Sequence, residues 1–319
     1  MPDVLFPVLA VAVFPGGLFA LALGLLLKGI DRRVAARLQR RVGPPLLQPL
    51  FDLIKLARKE TLVPETAVTP VFRGAPVAGL AAMVLAAAMI PIAGVYRPDP
   101  ALGDLLVLFY LLAVPAVALM LAGSASGSPF GAIGFSREMV MMIAYEAPVL
   151  LALLAVAVRV GAAEGRPVCL SLSAIVDYQM RNGPLLLDPV LWPALAAFLC
   201  FLPANLGVLP FDIPEAETEI LEGPLLEYSG PGLGLFKMMS AVKAVVVLGL
   251  CITLFLPNGP AGVAGLALFI VKCALLMIAG VTVTRTAMGR MRIDQAFRFL
   301  LRWPLAFGVI GFAAVLVRW

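Results

Sequence analysis

The stretch LGLFKMMSAVKAVVVLGLCITLFL, residues 233–256, decides the fold of this chain of 319 residues. It is almost continuously apolar, and about 20 helical residues suffice to cross the roughly 30 Å hydrocarbon layer of a bilayer. A strand of a membrane barrel would instead alternate apolar and polar residues over about ten positions. The stretch therefore predicts a membrane-spanning helix, although Lys237 and Lys243 interrupt it.

Similar apolar runs recur along the chain. Together with residues 233–256, the predicted spans cover residues 4–28, 74–95, 104–123, 139–159, 189–209, 261–284 and 298–317. Only 13% of the residues are charged and the mean hydropathy is +1.02, whereas about a quarter of the residues of soluble domains are charged. We therefore predict an all-α polytopic membrane protein with eight transmembrane helices, forming a single integral membrane domain over residues 1–319.

Basic residues predict the orientation. Ten lysines and arginines lie in residues 28–73, five in residues 285–302 and one at Arg137, against five on the opposite side. Because Lys and Arg are retained in cytoplasmic loops, we expect a multi-pass protein of the cytoplasmic membrane with both termini on the outer side. The positive net charge then reports membrane topology, and we expect no nucleic-acid partner.

Several kinds of chemistry lack their residues. The chain has no histidine, and its cysteines stand singly at Cys169, Cys200, Cys251 and Cys273. Haem, iron–sulfur and zinc sites need ligands of these types at suitable spacing. We therefore expect no metal site, no cofactor and no catalytic residue in this chain, so that any redox centre belongs to a partner subunit.

Residues 210–230, PFDIPEAETEILEGPLLEYSG, form what we call the acidic segment. It holds Asp212, Glu215, Glu217, Glu219, Glu222 and Glu227, six of the 19 acidic residues. Asp212 is placed to cap a helix of about ten residues with Glu215, Glu219 and Glu222 on one face. Crowded, partly buried carboxylates have raised pKa values, which favours proton transfer. A solvated acidic surface is the alternative, while the spacing does not fit a calcium loop.

Four ionisable residues lie inside the predicted spans: Glu146, Lys237, Lys243 and Lys272. A charge near the centre of a membrane helix costs about 2.5–3.5 kcal/mol unless it faces a partner or a hydrated cavity. These residues therefore indicate a proton path. Buried polar ties that hold the helices together are the alternative.

An amphipathic helix is predicted beside the first span. Its apolar face carries Leu46, Leu50, Leu53, Ile54 and Ala57, and its polar face carries Gln48, Asp52, Lys55 and Lys59. Such a helix lies on the cytoplasmic surface of the membrane or against a partner. A second cytoplasmic segment, residues 285–303, carries five arginines and Asp294, which anchoring at the inner membrane interface explains.

Four stretches together resemble the family of respiratory complex I subunit 1. They are RLQRRVGPPLLQPLFDLIKLARKE, GSASGSPFGAIGFSREMVMMIAYEAP, the acidic segment and RMRIDQ. The family includes homologues in energy-converting nickel-iron hydrogenases, formate hydrogenlyase among them, and GSPFGAIGFSRE, EGPLLEYSG and LFKMMSAVK look more like that branch. Asn205 and Val208 stand where complex I members usually carry an acidic residue and an arginine, a departure that weakens a quinone role.

The resemblance implies a membrane-anchoring, proton-path subunit that couples electron transfer to proton or sodium translocation. The nickel-iron centre and iron–sulfur clusters would lie in peripheral hydrogenase and iron–sulfur subunits, and antiporter-like membrane subunits would adjoin this chain. We expect the proton path to use Glu146, Asp212, Glu215, Glu217, Glu219, Glu222, Glu227, Lys237, Lys243 and Lys272. We expect partner docking at Arg40, Arg41, Asp52, Lys55, Glu60, Arg292 and Asp294.

Three other functions fit the same residues. A quinone-chamber subunit of a complex I type NADH or ferredoxin:quinone oxidoreductase would share the family resemblance. A stand-alone ion transporter would also use buried lysines and glutamates. A purely structural anchor would tolerate neutralisation of every buried charge.

Overall fold

The computed structural model describes residues 2–98 and 103–318, and every named element within these ranges is helical. The α-helices are α1 Pro2–Ala12, α2 Gly17–Leu38, α3 Gln48–Ala57, α4 Thr69–Met89, α5 Leu105–Ala125, α6 Pro129–Ala163, α7 Leu172–Asn182, α8 Trp192–Asn205, α9 Glu217–Ile220, α10 Gly230–Phe255, α11 Val263–Leu276, α12 Val283–Ala287 and α13 Ile293–Val317. A π-helix, Met277–Thr282, joins α11 to α12. Short 3-10 turns cover Leu185–Leu187, Pro189–Leu191 and Gly223–Leu225.

Seven helical stretches of the described residues are long and apolar enough to cross a membrane. They are Pro7–Leu38, Thr69–Met89, Leu105–Ala125, Pro129–Ala163, Gly230–Phe255, Val263–Ala287 and Ile293–Val317. The predicted span 189–209 corresponds to a shorter apolar stretch, Pro189–Asn205, whose 14-residue helix α8 is about 21 Å long. The all-α polytopic prediction is confirmed. The count of eight stays a prediction, as does the orientation of the termini, because Met1 and Trp319 lie outside the described residues.

Helix α10 occupies the centre of the bundle. All residues from 241 to 255 are buried, and the helix packs against α2, α3 and α4. The backbones of α2 and α10 touch at Gly24, where an added Cβ would collide with the Ala241 carbonyl. This close approach brings the side chains of one turn of α2 directly against the polar middle of α10.

The acidic segment is mostly irregular, so the prediction of a ten-residue helix capped by Asp212 is wrong. Only α9 forms, over four residues with Ala216 as its N-cap. Leu221 and Glu222 have φ of 53° and 67°, and two consecutive left-handed residues cannot continue an α-helix. The segment is held on the bundle by Pro224, which packs against Gly134 of α6: a Cβ at Gly134 would lie 2.8 Å from Pro224 Cγ.

The amphipathic helix is confirmed as α3, Gln48–Ala57, but its buried face differs from the predicted one. Pro49 and Leu56 are buried, because Leu56 faces α10 at Gly234. Leu50 and Ile54 of the predicted apolar face are 39% and 46% exposed. These two side chains face outward, toward lipid or a partner.

Candidate functional site

The polar residues of the bundle meet in a cavity of about 250 Å³, here called the main cavity. It lies between α2, α3, α6, α10 and the acidic segment. Its ionisable lining consists of Lys28, Arg32, Asp52, Glu138, Tyr145, Asp212, Glu215, Glu217, Glu222, Lys237 and Lys243. Ionisable groups of both signs from four helices and one loop thus share a single space within a predominantly apolar protein.

Glu138 and Lys243 carry charge into the buried part of the main cavity. They are 8% and 7% exposed, and neither makes a hydrogen bond or ion pair within the described part of the chain. Lys243 is 13 residues into α10, or about 20 Å from its start. Burying such charges without direct partners is very unfavourable in a dry site. Water in the cavity is therefore needed to solvate them.

Glu215 is the titratable centre of the acidic segment. Burial, followed by the negative charges of Glu138 and Asp212, raises its pKa to about 7, although Lys28 and Lys243 oppose this rise. Its carboxylate makes no ion pair among the described residues. A carboxyl group with a pKa near neutrality can both accept and release protons at physiological pH.

Asp212 and Glu219 are tied to arginines at the edge of the site. Arg290 donates to Asp212 Oδ2 at 2.8 Å and to Thr218 Oγ1 at 2.7 Å, and Arg137 donates to Glu219 Oε2 at 2.5 Å. Burial raises the pKa of Asp212, and the hydrogen bond from Arg290 offsets part of that rise. Both carboxylates therefore fix the position of the acidic segment.

The other carboxylates predicted for the proton path are spread over different environments. Glu217 and Glu222 are exposed and line the main cavity. Glu227 and Glu146 are partly buried and line neither of the two largest cavities. Glu146 is eight residues beyond Glu138 on α6 and therefore about 80° around the helix from it, which turns it away from the main cavity.

The three lysines predicted for the proton path do not form one axis. Lys243 lies inside the main cavity and Lys237 is exposed along its lining. The Lys272 ammonium instead donates to the carbonyl oxygens of Leu256, at 2.8 Å, and Asn258. These carbonyls follow the C-terminal end of α10, about 20 Å from Lys243. Lys272 is thus separated from the main cavity because it satisfies free carbonyl groups at a helix end.

Most residues predicted to dock partners lie on the surface. Arg40, Arg41, Lys55, Glu60, Arg292 and Asp294 are exposed. Asp52 instead faces inward, where it accepts hydrogen bonds from Arg32 at 3.1 Å and Gln48 at 3.0 Å. Burial would raise the pKa of Asp52, but these two bonds outweigh it and hold the pKa below its usual value.

A second cavity of about 230 Å³ adjoins the main cavity. Lys28, Arg32, Asp212 and Ser240 are among the residues that line both. The second cavity is also lined by Asp31 and Arg285. Asp31 is 4% exposed and accepts hydrogen bonds from Thr282 Oγ1 at 2.8 Å and Arg285 at 2.6 Å. The π-helix is therefore tied to α2 beside this cavity.

Two buried polar atoms at the main cavity also lack a well-formed hydrogen bond. They are Tyr145 Oη and Asn205 Oδ1, and each residue is 3% exposed. Buried polar groups without protein partners are usually bonded to ordered water. Within residues 2–98 and 103–318, no group of Cys, Asp and Glu side chains is arranged to hold a metal ion. The site is therefore suited to water and protons.

The sequence analysis misses Lys28, Asp31 and Glu138 as site residues. Hydropathy puts Lys28 at the edge of a loop, but α2 continues for ten more residues to Leu38. It likewise leaves Glu138 just outside the span 139–159, although α6 begins at Pro129. The spacing of seven residues between Glu138 and Tyr145, which puts the two on one helical face, is the signal that could have found Glu138.

Comparison with known proteins gives consistent relatives. A family model described as NADH dehydrogenase matches residues 10–316. Formate hydrogenlyase subunit 4 of Escherichia coli (strain K12) is 36% identical, with 98% of this chain and 99% of the relative covered. A membrane-complex relative from Dehalococcoides mccartyi (strain CBDB1), named as part of an NADH-quinone oxidoreductase, is 32% identical, with 90% and 81% covered. A chain of the membrane-bound sulfane sulfur reductase, an archaeal respiratory membrane complex, has a TM-score of 0.87 and 28% identity, with 99% of this chain and 100% of that chain covered.

Proposed function

The chain belongs to the NADH dehydrogenase family, that of complex I subunit 1, and from that premise we propose that it is the proton-path subunit of an energy-converting hydrogenase complex. It anchors the redox subunits to the membrane and links their electron transfer to proton or sodium translocation. The relatives named for formate hydrogenlyase and hydrogenase-4 are 36% and 33% identical over at least 90% of both chains. These relatives support the hydrogenase branch.

One observation carries the proton-path role: Glu215, with a pKa raised to about 7, shares the main cavity with Glu138 and Lys243. A proton carrier needs a group that titrates near the working pH and water that connects it to further groups. Glu217 and Glu222, exposed along the same cavity, supply an approach from solvent. This arrangement supports proton movement from the surface to the middle of α10.

The proposed cycle uses only side chains of this chain. Glu217 and Glu222 take protons from solvent and pass them to Glu215 through water. Glu215 releases a proton into the main cavity, where Glu138 and Lys243 stand deeper in the bundle. Each transfer leaves a charge near a group of opposite sign, since ionised Glu215 faces Lys28 and Lys243. Electron transfer in the partner subunits changes the local potential and so shifts the proton affinity of Glu215.

The partner subunits supply the redox chemistry in this proposal. The peripheral hydrogenase and iron–sulfur subunits carry the nickel-iron centre and the clusters, and they dock on the surface of Arg40, Arg41, Lys55, Glu60, Arg292 and Asp294. Antiporter-like membrane subunits adjoin the bundle. The whole chain acts as one integral domain of the cytoplasmic membrane, with both termini on the outer side.

The test compares Glu215→Gln with Glu164→Gln in the purified complex, reconstituted into lipid vesicles. Glu164 is exposed and follows the last residue of α6, so it is a matched control outside the site. We expect Glu215→Gln to assemble but to lose most of its ion translocation for each hydrogen molecule produced. Normal hydrogen production with an intact ion gradient would refute the proposal.

The alternatives make different predictions. A quinone-chamber subunit would be inhibited by quinone-site ligands, although Asn205 and Val208 weigh against that role. A stand-alone transporter would move ions when this chain alone is placed in vesicles. A structural anchor would keep full activity after its buried charges are neutralised.

A further inference from the structure

Lys28 stands at the wall between the two cavities. It lines both, as do Ser240 and Asp212. Its ammonium donates a 2.6 Å hydrogen bond to Ser240 Oγ, one turn beyond the point where Gly24 meets α10. The contact between the two helix backbones thus fixes Lys28 at the boundary of the cavities.

The hydrogen bonds of Lys28 are incomplete without water. An ammonium carries three N–H donors, and Ser240 is the acceptor that the described residues provide. Burying unpaired charged donors is unfavourable, and polar cavities of this size hold water. The cavities of about 250 and 230 Å³ provide that room on the two sides of the ammonium. Water bonded to Lys28 therefore connects them.

The other charges around Glu215 are mostly paired or exposed. The titratable groups that face this region are Lys28, Asp31 and Arg32 on α2, Asp52 on α3, Glu138 and Tyr145 on α6, Asp212, Glu217 and Glu222 on the acidic segment, Lys237 and Lys243 on α10, and Arg285 on α12. Arg32 is bonded to Asp52 and Arg285 to Asp31. Lys237 is exposed. Lys28 and Lys243 are therefore the cations free to respond to Glu215.

We propose that Lys28 belongs to the proton path: held by Ser240, it joins the water of the two cavities and supplies the positive charge against which Glu215 releases its proton. This inference rests on the proposed function. When Glu215 gives a proton to cavity water, its carboxylate is stabilised by the ammonium of Lys28, which keeps its own protons. Water of the second cavity, which reaches the surface at Arg32 and Arg285, then reprotonates Glu215.

The experiment measures the pH dependence of ion translocation per hydrogen molecule in the reconstituted complex. The variants are Lys28→Met, Lys28→Gln and Lys28→Arg, with Glu215→Gln to identify the pH midpoint that belongs to Glu215. Lys59→Met is the matched control, because Lys59 is exposed and lines neither cavity. Lys28→Gln keeps a polar side chain and decides the outcome if Lys28→Met does not assemble.

Removal of the Lys28 charge takes away a group that lowers the pKa of Glu215. We expect the midpoint to move upward by about 0.5–1 pH unit in Lys28→Met and Lys28→Gln, and to stay within about 0.3 unit in Lys28→Arg. An unchanged midpoint in assembled Lys28→Gln, with the midpoint abolished in Glu215→Gln, would overturn the role of Lys28 alone. Unchanged coupling in Glu215→Gln would overturn the proposed function itself.

Discussion

The guanidinium of Arg290 donates a 2.8 Å hydrogen bond to the carboxylate of Asp212. This bond fixes the start of the acidic segment against the connection between α12 and α13, where Met291 N also donates to the Pro210 carbonyl oxygen at 3.1 Å. Glu215 follows three residues later and faces the main cavity. One carboxylate of the segment is thus an anchor, and its near neighbour is free to titrate.

Replacement of Arg290 by alanine is expected to loosen the acidic segment. The change removes the hydrogen bonds to Asp212 and Thr218, and bonds to charged groups contribute about 1.5–3 kcal/mol each at most. We expect a lower Tm and weaker coupling, measured by thermal unfolding and vesicle assays. Arg298→Ala, at an exposed position of α13, is the control. Equal effects of the two variants would show that Arg290 is not an anchor.

Substitution of Gly134 tests how the acidic segment is seated. A Cβ at Gly134 would lie 2.8 and 2.9 Å from Pro224 Cγ and N, so Gly134→Ala forces the segment outward at a cost of about 1–3 kcal/mol. Gly74→Ala is the matched helical control, because a Cβ there meets nothing within 4 Å. We expect reduced stability and faster proteolysis of the acidic segment only in Gly134→Ala. Full stability of that variant would contradict the contact.

The two buried lysines are expected to behave differently. Lys243→Met places an apolar side chain in the main cavity and should abolish coupling while assembly persists. Lys272→Met removes the donor to the carbonyl groups of Leu256 and Asn258 and should lower stability by about 1–3 kcal/mol with coupling retained. Ion translocation per hydrogen molecule and Tm separate these outcomes. Loss of coupling in Lys272→Met would return that residue to the proton path.

The sequence predicted the membrane class because continuous apolar runs leave few other folds possible. It did not predict the buried position of Glu138 or Lys28, because each helix extends well beyond its most apolar part, and hydropathy alone places the ends too close to the centre. Nor could it distinguish Asp212 from Glu215. Their roles depend on Arg290, which is more than 70 residues away in sequence and meets the acidic segment only in the folded chain.

Local sequence rules also failed inside the acidic segment. Asp212 and Glu215 have the spacing of a helix cap, yet Asp212 binds Arg290 and the helix begins only at Glu217. A tertiary ion pair therefore prevails over a local capping preference. For Lys272, hydropathy correctly indicated a residue inside an apolar helix, but the length of its side chain lets the ammonium reach the end of α10.

Glu215 should make stability depend on pH. Its pKa in the folded chain is about 7, above its usual value of 4.5, so the folded state binds this proton more tightly than the unfolded state. The resulting stabilisation is fully present below pH 4.5 and is lost as the pH rises through 7. We expect Tm to fall by a few degrees across this interval in the wild type and by less in Glu215→Gln. An identical decline in the two proteins would contradict the raised pKa.

The most direct test of a proton path through the main cavity is the number of protons moved per electron pair. It is measured in vesicles that contain the complete complex, with wild-type protein, Glu215→Gln and the surface control Glu164→Gln compared at equal rates of hydrogen production. We predict that this number falls to near zero in Glu215→Gln and is unchanged in Glu164→Gln. An undiminished number in Glu215→Gln would contradict the account.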